Sequence, residues 1–95
     1  MNSKAQRFKK SLPAHFVNKN IIHLRHELSK SQFAISCDLD ISRFQYASYE
    51  EYRSTPNLDL TVKMAQYFKV KLEDFITKDL SKTRLEYIDK SFVQL

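Results

Sequence analysis

Ninety-five residues are enough for one domain with a modest core, closed without metal or disulfide. The composition, 42% apolar and 28% charged, is that of an ordinary globular protein, and the single cysteine, Cys37, rules out an internal disulfide and suits a reducing compartment. No apolar run reaches the roughly 18–20 residues of a membrane span, the polar and basic start MNSKAQRFKKS has no signal-peptide core, and the complete absence of glycine removes every glycine-rich phosphate loop. The expected location is the cytoplasm, with no membrane contact.

The net charge of +5 is unevenly placed. Lys4, Arg7, Lys9 and Lys10 give the first sixteen residues +4 with no acid, whereas Val17 to Thr77 carry eight bases and eight acids. The excess is therefore an N-terminal arm, residues 1–12, on a neutral body, and charge alone does not establish a nucleic-acid partner. The arm either solubilises the chain or follows a duplex.

After the arm, Pro13 suits the first turn of a helix. Val17, Ile21, Leu24 and Leu28 continue it at helical spacing to about Leu28. Ser31 is the expected cap of a short second helix, Gln32 to about Asp38, that buries Ile35. Leu39, Asp40 and Ile41 make a tight connection in which Asp40 is the candidate for the left-handed conformation. Ser42 then caps a third helix ending near Glu51. A polar loop, Tyr52 to Pro56, leads to Asn57 as cap of a fourth helix with Leu58, Val62, Ala65 and Phe68 along one face. A fifth helix covers about Leu72 to Thr77. Ser81 is the expected cap of a sixth, whose stripe of Leu85, Ile88, Phe92 and Leu95 is too apolar for water and serves either the bundle or a subunit interface. The fold class expected is all-α: a compact five-helix bundle over residues 13–78, with an additional C-terminal helix in 79–95.

The stretches NIIHLR (20–25), SQFAIS (31–36), DISRFQYASYE (40–50), Pro56 and LTVKMAQYFKVKLEDFI (60–76) keep a fixed order without a gap across 57 residues. This pattern resembles the Cro/phage-repressor (XRE-like) family of helix-turn-helix transcriptional regulators. The resemblance implies that the third helix lies in a DNA major groove and reads bases with its first turns. It places Arg43, Phe44 and Ser48 towards the bases, Ser42 and Gln45 at the backbone or flanking bases, and Gln32 and Arg53 at phosphates. Arg43 would bond a guanine and Phe44 would pack on a thymine methyl. It also implies an ion pair between Arg25 and Glu50, and a homodimer on a palindromic operator, with Leu85, Ile88, Phe92 and Leu95 as the candidate interface. Phage repressors, controllers of restriction systems and self-repressing antitoxins all share the pattern.

Several residues depart from it. Tyr46 stands where an aliphatic core residue is usual, so it needs a larger hole or turns outward. Tyr52 occupies a glycine position after the third helix and Phe33 a polar one, whereas Ser36 matches the small alanine expected where the second and third helices cross. Residues 38–51 carry Asp38, Asp40, Glu50 and Glu51 against Arg43 alone, a local charge of −3. These departures keep a rival reading open, a protein-interaction module using Phe33, Phe44 and Tyr52. A further rival is nonspecific DNA association through the arm. His15, His23 and His26 have no ligand spacing that would suggest a metal, Cys37 has no activating neighbour, and no catalytic constellation is present. Neither cofactor nor enzymatic activity is expected.

Overall fold

The computed structural model describes residues 15–82, which form an all-α bundle. Five helices follow in chain order: α1 (Val17–Glu27), α2 (Gln32–Leu39), α3 (Arg43–Glu50), α4 (Leu58–Tyr67) and α5 (Leu72–Thr77). Residues 80–82 begin another helical turn. Pro13, the arm and the C-terminal stripe lie outside the described residues. No helix among those described is long and apolar enough to cross a membrane.

The starts of α2, α3 and α4 are set by side-chain caps, and α5 begins after Lys71 without one. Ser31, Ser42 and Asn57 hold extended backbone and accept bonds from the N–H groups of Ala34, Gln45 and Leu60 at 2.8–3.0 Å. α1 begins at Val17 and has no such cap. The N–H of Phe16 instead donates to the Ile76 carbonyl at 2.7 Å, joining the start of α1 to α5. The last described turn is capped by Asp79, whose carboxylate accepts from the N–H and hydroxyl of Ser81. Ser81 therefore sits inside the turn and does not cap it.

Helix ends share one device. Ser29, Asp40, Tyr52 and Lys69 have φ of 55–61°, and none is glycine. Each donates its N–H three residues back, to His26, Cys37, Tyr49 and Gln66 respectively. The next residue in each case donates five back, to Arg25, Ser36, Ser48 and Ala65. This is the Schellman pattern, repeated four times, and it satisfies the last carbonyls of α1 to α4. Asp tolerates the left-handed region through its short polar side chain, but Tyr and Lys carry the full steric penalty of a Cβ.

The core is built from Val17, Ile21 and Leu24 of α1, Ile35 and Leu39 of α2, Tyr46 and Tyr49 of α3, and Met64, Phe68, Phe75 and Leu80 from the C-terminal half. Phe68 lies edge-on to Tyr67 at 5.0 Å and 6.4 Å from Phe75. The buried face of α4 is Thr61, Met64, Ala65 and Phe68, at i, i+3, i+4 and i+7. Leu58 does not join it: it stands in the first turn of α4 and is 71% exposed.

Two buried asparagines fasten α1 to the rest. Asn20 donates to the carbonyls of Phe75 and Lys78 at 2.7 and 2.8 Å and accepts from the Leu80 N–H at 2.9 Å. Asn18 donates to the carbonyls of Tyr49 and Ser54 at 2.7 and 3.0 Å. Asn20 thus serves backbone groups at the end of α5 and the start of the next turn, while Asn18 ties the end of α3 and the loop after it to α1.

Glycine at the left-handed positions relieves the Cβ clash at some cost in unfolded-chain entropy. Tyr52→Gly and Lys69→Gly are each expected to raise unfolding free energy by about 1 kcal/mol. Urea denaturation measures this directly, and a lower midpoint for both variants would mean that the left-handed turns carry no steric strain.

Candidate nucleic-acid interface

The α2–α3 pair is held by one carboxylate. Glu50, at the end of α3, accepts from Arg25 Nε and Nη2 of α1 at 2.7 and 3.1 Å, from Gln32 Nε2 of α2 at 2.9 Å, and from the Tyr46 hydroxyl at 2.6 Å. Arg25 also donates to the Lys30 carbonyl at 2.9 Å, at the end of the α1–α2 turn. Tyr46 is fully buried, so the larger side chain does find room in the core, with its hydroxyl delivered to Glu50. Burial raises the tyrosine's pKa, and the bond to Glu50 raises it further, so it remains a donor. For Glu50, burial alone would favour the neutral acid. Bonds from Arg25, Tyr46 and Gln32 outweigh it and hold the carboxyl below its ordinary range.

This hub decides what Gln32 can do. One N–H of its side-chain amide is given to Glu50, which leaves the second N–H and the amide oxygen for any other contact. Ser36 is buried where α2 and α3 cross, its hydroxyl turned back onto the Phe33 carbonyl at 2.7 Å.

The exposed surface of α3 is narrower than the helical repeat suggests. Ser42, Arg43, Phe44 and Gln45 are exposed, and Phe44 is 74% accessible. Ser48, expected on the same reading face, is 7% exposed. The chain folds back over it after Tyr52: the N–H groups of Arg53 and Ser54 approach the Ser48 carbonyl, and the hydroxyls of Ser48 and Ser54 are 2.6 Å apart. A direct base contact from Ser48 is thereby blocked. Gln45 donates to the Tyr49 hydroxyl at 2.7 Å along its own helix. Arg53 donates to Glu51 at 2.8 Å and lies over the Phe44 ring, with Cζ 5.3 Å from its centre. Arg43 makes no hydrogen bond or ion pair among the described residues and projects from the first turn of α3.

The acidic character read from residues 38–51 dissolves in space. Asp38 pairs with Lys30 at 2.7 Å, Glu50 with Arg25 at 2.7 Å, and Glu51 with Arg53 at 2.8 Å. The Tyr67 hydroxyl adds a bond to Asp38 at 2.6 Å, which with Lys30 keeps that carboxyl below its usual range. Asp40 and Arg43 remain, one charge of each sign. The surface is neutral, with Arg53 over the Phe44 ring and Arg43 exposed one residue before it.

Phe33 and Tyr52 are 61% and 64% exposed, so with Phe44 all three aromatics of the interaction-module reading stand in solvent. Asn18 and Asn20 were not singled out by the sequence reading. The available signal was Asn20 itself, a polar residue inside the stripe Val17–Ile21–Leu24. No group of three or more His, Cys, Asp or Glu side chains among the described residues is arranged to hold a metal ion.

Removing Glu50's charge leaves Arg25 facing a neutral partner in a largely enclosed site. Glu50→Gln is expected to cost about 3 kcal/mol of stability near neutral pH, read by thermal or chemical denaturation. Because the folded carboxyl titrates below its unfolded value near 4.5, its contribution is complete above that pH and is lost as pH falls through the folded value. The variant should therefore lose less stability on acidification than the parent. Equal acid sensitivity of the two proteins would remove Glu50 from the account.

No family model matches the chain, and no curated protein or solved structure matches it either.

Proposed function

We propose that this chain is a sequence-specific DNA-binding regulator of the Cro/phage-repressor kind, a repressor that sets α3 into the major groove of a palindromic operator as a dimer. The observation that carries the reading is the pairing of two short, serine-capped helices through a left-handed Asp40, braced by the Arg25–Glu50 pair, with Arg43 and Phe44 exposed at the first turn of the second. A helix presented in this way suits groove entry by its N-terminal turn. Arg43 supplies the bidentate donor that guanine requires. Ser42 and Arg53 flank the reading turn, where phosphates would run, and the four cations of the N-terminal arm add counterion release.

Selection of bound fragments from genomic DNA at near-physiological salt tests this. A palindromic motif is expected, with Arg43→Ala weakening it by about tenfold or more. Binding without a motif, lost on deleting residues 1–10, would instead identify the arm as the whole of the interaction. A second reading has its own support in the exposure of Phe33, Phe44 and Tyr52, which suits a protein partner. Absence of any enriched DNA would favour it.

Dimerisation is assigned to residues 83–95, which include Leu85, Ile88, Phe92 and Leu95. The cut that tests this falls after Lys82 and not after Thr77, because Leu80 is fully buried and its N–H is bound by Asn20. Light scattering at roughly tens of micromolar should give a dimer for the full chain and a folded monomer for the shortened one. A dimer that survives the cut places the interface elsewhere.

A further inference from the structure

We propose, on the DNA-binding reading above, that the first turn of α3 reads a guanine through Arg43 and the C5 methyl group of a neighbouring pyrimidine through Phe44, accepting thymine and 5-methylcytosine alike.

The polar side chains on the exposed face of α3 differ in how far they are already bonded. The Ser42 hydroxyl accepts from the Gln45 N–H and one amide N–H of Gln45 is given to Tyr49, so both are held in place with part of their bonding capacity left, while Ser48 is buried against Gln45 and Ser54. Arg43 is left as the polar side chain of the helix surface with no bond among the described residues. Beside it stands Phe44, 74% exposed yet not loose: the Arg53 guanidinium lies on its ring at 5.3 Å and is itself anchored by Glu51 at 2.8 Å. The ring is therefore an exposed apolar contact backed by a guanidinium group. That charge arrangement suits an apolar spot on a polyanion, whereas an apolar protein surface would have to strip water from the cation.

In a DNA major groove the apolar feature of the base edges is the pyrimidine C5 methyl. A phenyl ring packs on it but has no donor or acceptor with which to tell the O4 of thymine from the N4 amino group of 5-methylcytosine. A reader that senses the methyl and ignores the neighbouring atom treats the two bases as equivalent, and it rejects cytosine and uracil. Cytosine methylation would then create sites for this protein where the unmethylated sequence has none.

The probe is duplex DNA enriched by wild-type protein from a random-sequence pool, recopied with uracil in place of thymine. The wild type is expected to bind the uracil copy about fourfold more weakly for each contacted methyl lost. Phe44→Ala, a change at an exposed position that spares the core, should bind both copies equally. A second selection, from a pool made with uracil and 5-methylcytosine, should return the same motif with cytosine where thymine stood. Equal wild-type affinity for the thymine and uracil copies overturns the proposal and leaves DNA binding intact. A motif that persists in Phe44→Ala with its thymine preference unchanged also overturns it, and turns Phe44 towards another partner. Failure of every pool to bind overturns the DNA reading itself.

Discussion

The Glu50 carboxylate is the point at which three helices meet. Arg25 arrives from α1, Gln32 from α2 and Tyr46 from α3's own second turn, and each contributes a hydrogen bond to a group that burial would otherwise neutralise. A half-satisfied buried carboxylate destabilises its surroundings, and a fully bonded one fixes their geometry. Here the geometry fixed is the placement of α3 against α1 and α2. The choice of tyrosine at position 46 belongs to the same logic. Its ring fills core volume, and its hydroxyl, which needs a partner in the interior, adds the donor that finishes the carboxylate's shell. An aliphatic residue would fill the volume and leave Glu50 with one bond fewer.

A second constraint is the backbone's manner of ending helices without glycine. Four successive helices close in the same Schellman arrangement on serine, aspartate, tyrosine and lysine. The cost is not equal among them. Asp40 sits in the turn between α2 and α3, where local side-chain polarity eases the left-handed conformation. Tyr52 has no such relief, and its ring, exposed in solvent, returns little packing to the body.

How much of this was legible in the sequence depends on the range of the interaction. The caps Ser31, Ser42 and Asn57 and the left-handed Asp40 are local, decided within four residues, and all four can be read from residue type and position. Leu58 cannot, because its exposure depends on where α4 meets its neighbours and not on the spacing of its own apolar residues. Ser48 escapes for a related reason. The helical repeat places it among the outward residues, but the segment after Tyr52 returns across it, and that return exists only once the turn at Tyr52 has formed. Asn20 sits at a core position of the α1 stripe. Read as an interruption it weakens the helix, yet in space it completes the end of α5 and holds Leu80.

Charge shows the same difference between order along the chain and order in space. Residues 38–51 sum to a negative segment, but three of its four acids are met by Arg25, Lys30 and Arg53 from outside that window. The reading turn of α3 is accordingly neutral, neither repelling a polyanion nor drawing one in. On the proposed function, attraction and discrimination then belong to different parts of the protein. Long-range attraction and salt dependence come from Lys4, Arg7, Lys9 and Lys10, while the choice of bases falls to Arg43 and Phe44. A neutral reading surface has a physical consequence that favours specificity: with little phosphate-driven affinity of its own, it loses most of its binding when the base contacts are wrong. The ratio between correct and incorrect sites is then set by one arginine and one aromatic ring, because the arm's attraction acts on every sequence alike and cancels from it.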